Sequence, residues 1–171
     1  MAINIPDLIV SLFQGIIPPE AAIFPFESKL VLASDVATGA NTTPVSLTGM
    51  SFAYEANSAY VIDMYMMVQS GAATTGHGFQ LDVTTAGNQI ALSFYNQLAN
   101  TGTLTGGSST ADDASLGVSS GTPTTAMVPV MGQGLLITGA NPGTAQFRFR
   151  SETTTVTTCK AGSMIRILKM G

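Results

Sequence analysis

The sequence predicts an all-β chain: an antiparallel β-sandwich or jelly roll of about 8–10 strands, preceded by an apolar N-terminal arm. Three observations carry that expectation. Thr, Ala, Gly and Ser number 22, 20, 18 and 15 of the 171 residues, while charged residues make up only 9%. Small and β-branched residues therefore replace the Lys, Glu and Arg from which surface helices are built. Apolar residues recur with period two through most of the chain, as in a strand with one buried face. Turn-forming groups such as Ala86-Gly87-Asn88 and Asn141-Pro142-Gly143 then cut the chain into short runs.

The first 28 residues stand apart from a sandwich domain expected over 29–171. Ile5, Leu8, Ile9, Leu12, Phe13 and Ile16 follow the spacing of an apolar helix stripe. Pro6 suits a first helical position, Asp7 complements the positive helix start, and Gly15 suits its end. Pro18, Pro19 and Pro25 then forbid helix and favour an extended track. The stripe has little polar surface opposite it, only Asp7, Ser11 and Gln14. It must pack somewhere, and the rigid proline spacer favours docking on a neighbouring subunit over packing back. Ile5, Leu8, Ile9, Leu12, Phe13, Ile16, Pro18, Pro19, Phe24 and Phe26 are the expected partner-docking residues.

Ten strands are expected from there on, near 30–33, 45–54, 59–68, 78–83, 89–95, 126–131, 134–138, 144–151, 153–158 and 163–169. In 45–54 the apolar phase runs through Val45 and Leu47, then shifts to Met50 and Phe52. The shift falls at Thr48-Gly49 and predicts a β-bulge. In 59–68 one face is Tyr60, Ile62, Met64, Met66 and Val68; the other carries Val61, Tyr65 and Met67 around Asp63. A strand apolar on both faces belongs in the middle of a sheet, with its second face covered by another sheet or another subunit. The Gly/Ser/Thr-rich stretch 99–123 has almost nothing to bury and is expected to be a long surface loop.

Catalytic chemistry has few candidates. His77, the single histidine, lies between two glycines and is expected in a turn. Gly117-Val118-Ser119-Ser120-Gly121 matches the G-x-S-x-G spacing but lacks the apolar strand before it and the helix after it that a nucleophile elbow requires. Gly132-Gln133-Gly134 lacks the third glycine of a dinucleotide fingerprint. Asp112-Asp113 has no spaced series of oxygen ligands around it, so no calcium loop is expected. Cys159, alone in the chain, excludes an intrachain disulfide and a Cys-rich zinc site, and is expected to be buried. Asp63 and Asp82 form a glycosidase pair only if folding brings them close. No enzyme, cofactor or metal site is expected. Net charge −4 argues against nucleic acid, and the lack of a long apolar run argues against a membrane span. No Lys or Arg precedes Lys29, so the basic start of a secretory signal is missing. Five of the six basic residues lie in the last 24, while Lys29 to Arg148 encloses only acidic ones. Such segregation suits either two solvated surfaces or pairing between subunits.

The run Leu47-Thr48-Gly49-Met50-Ser51-Phe52-Ala53-Tyr54-Glu55-Ala56-Asn57-Ser58-Ala59-Tyr60 is followed by Ser70-Gly71-Ala72-Ala73-Thr74-Thr75-Gly76. Gly143-Thr144-Ala145-Gln146-Phe147-Arg148-Phe149 and Ala161-Gly162-Ser163-Met164-Ile165-Arg166 come later. Together these resemble a β-sandwich domain of virion proteins of tailed bacteriophages, found in capsid decoration (cement) proteins and in tail or head fibres. The resemblance covers about 29–171 and leaves the arm outside. It implies a non-enzymatic structural protein on the particle surface, assembled in the host cytoplasm. It also implies self-association, commonly as a homotrimer, and binding to the major capsid protein or another virion protein. A decoration protein is the first expectation; a tail, baseplate or head-fibre module contacting a host receptor is the alternative.

Overall fold

The computed structural model describes residues 27–98, 103–109 and 127–170. Residues 1–26 of the arm, with its expected helix and all the docking residues named above, lie outside them, as do Gly117–Gly121 and Asp112-Asp113. Eleven strands occur among the described residues and no helix: β1 (Glu27–Val31), β2 (Val36–Ala37), β3 (Val45–Tyr54), β4 (Ala59–Ser70), β5 (His77–Val83), β6 (Gln89–Leu98), β7 (Thr103–Ser109), β8 (Val128–Ile137), β9 (Gly143–Ser151), β10 (Thr157–Cys159) and β11 (Met164–Met170). They form a sandwich of two antiparallel sheets. The large sheet runs β1-β11-β4-β8-β6-β7, with β10 and β2 continuing beside the end of β4; the small sheet runs β3-β9-β5.

β4 holds the centre, as its two apolar faces required. It pairs β8 along one side and β11, then β10, along the other. Tyr60, Ile62, Met64, Met66 and Val68 point inward and are buried. They meet Leu47, Met50, Phe79, Leu81, Phe147 and Phe149 of the small sheet in one core. The bulge is present where the phase shifts: Ser46 opposes Arg148, yet Ser51 opposes Gln146, so β3 carries three extra residues there. Gly49 takes φ +82°, a conformation that costs a residue with a Cβ. The Gln146 amide fills the gap, donating to the carbonyls of Leu47 (3.0 Å) and Met50 (3.1 Å).

Four expectations need correction. Residues 126–131 and 134–138 are not two strands; β8 runs through Gly132-Gln133-Gly134 without a turn. Both glycines answer a close approach instead. A Cβ on Gly132 would stand 2.7 Å from the Ser93 carbonyl oxygen, and one on Gly134 2.4 Å from Leu92 Cδ1. The stretch 99–123 is not loop throughout, since Thr103–Ser109 forms β7 against β6. Backbone groups make that ladder, so an edge strand needs no apolar alternation to pair. The strand expected over 153–158 narrows to Thr157–Cys159, because 152–155 form a bend closed by Ser151 and Thr153 side chains. His77 is not in a turn; it opens β5 and is fully buried.

Candidate functional site

The inward face of the large sheet is spoken for by the core. The outward face is not, and strand register orders it into rows. Val31, Met164, Tyr65, Met131 and Tyr95 stand abreast across β1, β11, β4, β8 and β6. Tyr65, Met131 and Tyr95 are 46%, 45% and 47% exposed, and the Tyr95 hydroxyl donates to Met131 Sδ at 3.6 Å. Two residues further along each strand lies a polar row, Lys29, Arg166, Asp63, Gln133 and Ser93. Beyond it Leu168, Val61, Leu135 and Ala91 form a second apolar row, with Ile137 past its end. Alternation alone produces this banding, because side chains two apart along a strand share a face.

Each apolar row borders a shallow hollow. One, of about 290 Å³, is lined by Tyr65, Met67, Pro129, Met131, Gly162 and Met164. The other, of about 350 Å³, is lined by Asn88, Gln89, Ala91, Leu135 and Ile137. Methionine is well suited to such a place, since its unbranched, polarisable side chain adapts to what sits on it. Between the hollows Arg166 grips Asp63, with Nε at 3.0 Å and Nη2 at 2.5 Å from Oδ2. That pair satisfies the Asp63 carboxylate, which the apolar bands leave only 12% exposed.

The candidates for chemistry are placed elsewhere. His77 sits between the sheets with its ring centroid 5.8 Å from Phe79, 5.9 Å from Phe94 and 6.3 Å from Phe149. Burial pulls its pKa down to about 4, so at neutral pH it is an uncharged core ring. Cys159 is buried as expected, and burial pushes its thiol up to about 11, which suppresses the nucleophilic thiolate. Asp63 and Asp82 do not converge. They lie on the outer faces of opposite sheets, each with its own arginine, Arg166 and Arg148. Among the described residues no three His, Cys, Asp or Glu side chains group closely enough to hold a metal.

The segregated charges meet within the chain. Besides those two pairs, Lys160 binds Asp35 and Lys169 binds Glu55 at 2.8 Å. Lys160 and the Ala161 N–H hold the Asp35 carboxyl below its ordinary range. The C-terminal basic segment thus reaches acidic residues far away in sequence.

No family model matches the chain, and no curated protein sequence matches it. Solved structures similar to it include the VP2 subviral particle of infectious bursal disease virus, at 10% identity and a TM-score of 0.26 over 85% of this chain and 40% of that one. The T13 particle of the same virus gives 11%, 0.26, 85% and 38%. The structure of the Gx strain of that virus gives 13%, 0.24, 85% and 40%. This chain thus spans about two fifths of those proteins.

The outer-face residues were not among the docking residues expected from sequence. Their signal lay in 59–68, whose second apolar face called for a cover. What sequence could not supply was the partner strands: register alone sets Met131 and Tyr95 beside Tyr65.

Proposed function

We propose that this chain is a non-enzymatic structural protein of a virus particle, a decoration protein of the tailed-phage type that binds and stabilises an assembled shell. The sandwich projects outward in this reading, and the apolar N-terminal segment joins it to a neighbouring virion subunit. One observation carries the proposal: a sheet face with two exposed apolar rows and a guanidinium–carboxylate pair between them. Soluble monomers seldom expose contiguous apolar area of this kind unless it is an interaction site. The resemblance of 29–171 to phage virion domains supports the same role. Cementing needs no chemistry, since a protein that binds only the assembled shell stabilises it by mass action. Self-association would multiply that effect, because one docked copy raises the effective concentration of the others.

Removing residues 1–27 tests the reading. The truncated chain is expected to fold, shown by an unchanged β-type circular dichroism spectrum, and to lose its place on the shell. Occupancy equal to that of the full chain would overturn it. Copy number in purified particles separates the two virion locations: hundreds fit decoration, whereas a few to dozens would move the protein to tail or fibre.

A further inference from the structure

We infer that the outer face of the large sheet packs against the same face of a second copy of this chain, across a two-fold axis. This rests on the reading of that face as an interaction surface and names its occupant.

The pattern of the face suits a meeting with itself. Its rows run apolar, polar, apolar, so a two-fold axis along the strands or along the polar row sets like row on like row. The charges choose between the two axes. An axis along the polar row places Arg166 over Arg166 and Asp63 over Asp63. An axis along the strands, between β11 and β4, places each Arg166 over the partner's Asp63, with Met164 over Tyr65 and Leu168 over Val61. Each Arg166 already holds its own Asp63, so two neutral pairs meet in opposite order and no unpaired charge is buried. Lys29, the other cation of the row, is exposed in the edge strand β1 and stays at the rim. The outward face of the small sheet offers no apolar match, since it carries Gln80, Asp82, Gln146, Arg148 and Arg150.

Size agrees with a specific but modest contact. With the axis between β11 and β4, strands β1, β11, β4 and β8 of the two copies overlap over a width of about 19 Å. The outward residues of β4 from Ala59 to Met67 carry the overlap about 27 Å along the strands. In plan this is about 500 Å² from each copy, so about 1,000 Å² in all, the size at which specific interfaces begin. Val31, Tyr65, Met131 and Leu135, all exposed, would be covered. Met67, Met131 and Met164 can adapt to the opposing side chains across the gap of about 10 Å between packed sheets. The contact is isologous and closes at two copies. In the homotrimer that the resemblance implies, this face would have to meet a different surface.

Sedimentation equilibrium of the full chain tests the inference. The expected mass rises from one chain at low concentration to two at high; one chain throughout, or three, would overturn it. Charge reversal tests the match. Asp63→Arg and Arg166→Asp each set like charges face to face, and each alone is expected to raise the dissociation constant at least about tenfold. Mixed together, or combined in one chain, they are expected to restore association. Undiminished association of either single variant, or no recovery in both restored arrangements, would overturn the inference. Leu135→Asp, at an exposed position away from the pair, is the companion test. It is expected to keep the circular dichroism spectrum and to weaken association by a similar factor; unchanged association would overturn the inference. Association that appears only once residues 1–27 are removed would overturn it in favour of the chain's own arm on this face. Shell binding separates this failure from failure of the proposed function. If the full chain stays monomeric while loss of residues 1–27 abolishes occupancy, the virion role stands and the two-fold contact does not.

Discussion

Both faces of β4 carry large apolar side chains, five inward and three outward, but they are covered to different degrees. Inward, Tyr60, Ile62, Met64, Met66 and Val68 are at most 4% exposed. Outward, Val61, Tyr65 and Met67 flank Asp63, and Tyr65 is almost half exposed. Strand propensity cannot account for the difference, because both sets belong to one backbone. The inner set folds the sandwich. The outer set is only partly covered, with Val61 and Met67 half-buried and Tyr65 exposed, and it is the face that the proposed function uses. Apolar residues that a chain leaves uncovered are therefore the better guide to its partners than those it covers.

The largest effect that would sharpen this contrast comes from truncation on each face. Ile62→Ala is expected to cost about 2–5 kcal/mol, the range for a fully buried aliphatic side chain, while Tyr65→Ser stays within about 0.5 kcal/mol. Chemical denaturation at a dilution where the chain is monomeric measures both. Equal losses would break the distinction between the faces.

Acid should attack the inner side next. The pKa of His77 is about 4 in the fold against 6.5 for an exposed histidine, so between those values the unfolded chain binds the proton and the folded chain does not. Stability therefore rises with pH across that window and is complete above it. About 3 kcal/mol is withdrawn on going from pH 7 to below pH 4. His77→Phe should flatten that slope by one proton in a urea-titration series. A slope unchanged by the substitution would mean that other groups drive the acid response.

The smallest effect is expected at the outer ion pair. The Arg166 side chain is 42% exposed and keeps access to water when its partner is replaced, while the Asp63 side chain, 12% exposed, becomes a neutral amide rather than a buried unpaired charge. Asp63→Asn should cost about 1 kcal/mol or less, and 1 M salt should erase much of the difference. A loss of several kcal/mol would mean that this row is part of the folding core.

Much of the sandwich was legible because its signals are local. The period-two pattern located β3, β4, β5, β6, β9 and β11, and the phase slip at Thr48-Gly49 located the bulge. Three of the four corrected readings failed because a local pattern has two structural meanings. Gly132-Gln133-Gly134 resembles a break, Thr103–Ser109 resembles a loop and His77 resembles a turn residue. Glycine that leaves room for a neighbouring strand looks like glycine that bends the chain. An edge strand can pair through backbone groups alone, and an uncharged imidazole can pack with phenylalanines as one more ring.

Composition and periodicity, being properties of short stretches, determined that this chain builds strands, which side of each strand is apolar, and that β4 has two such sides. Tertiary structure alone decided which apolar side went to the core, and that Tyr65, Met131 and Tyr95, from three separated strands, share one open row. That choice depends on strand order and register, which are set by packing between residues far apart in the chain.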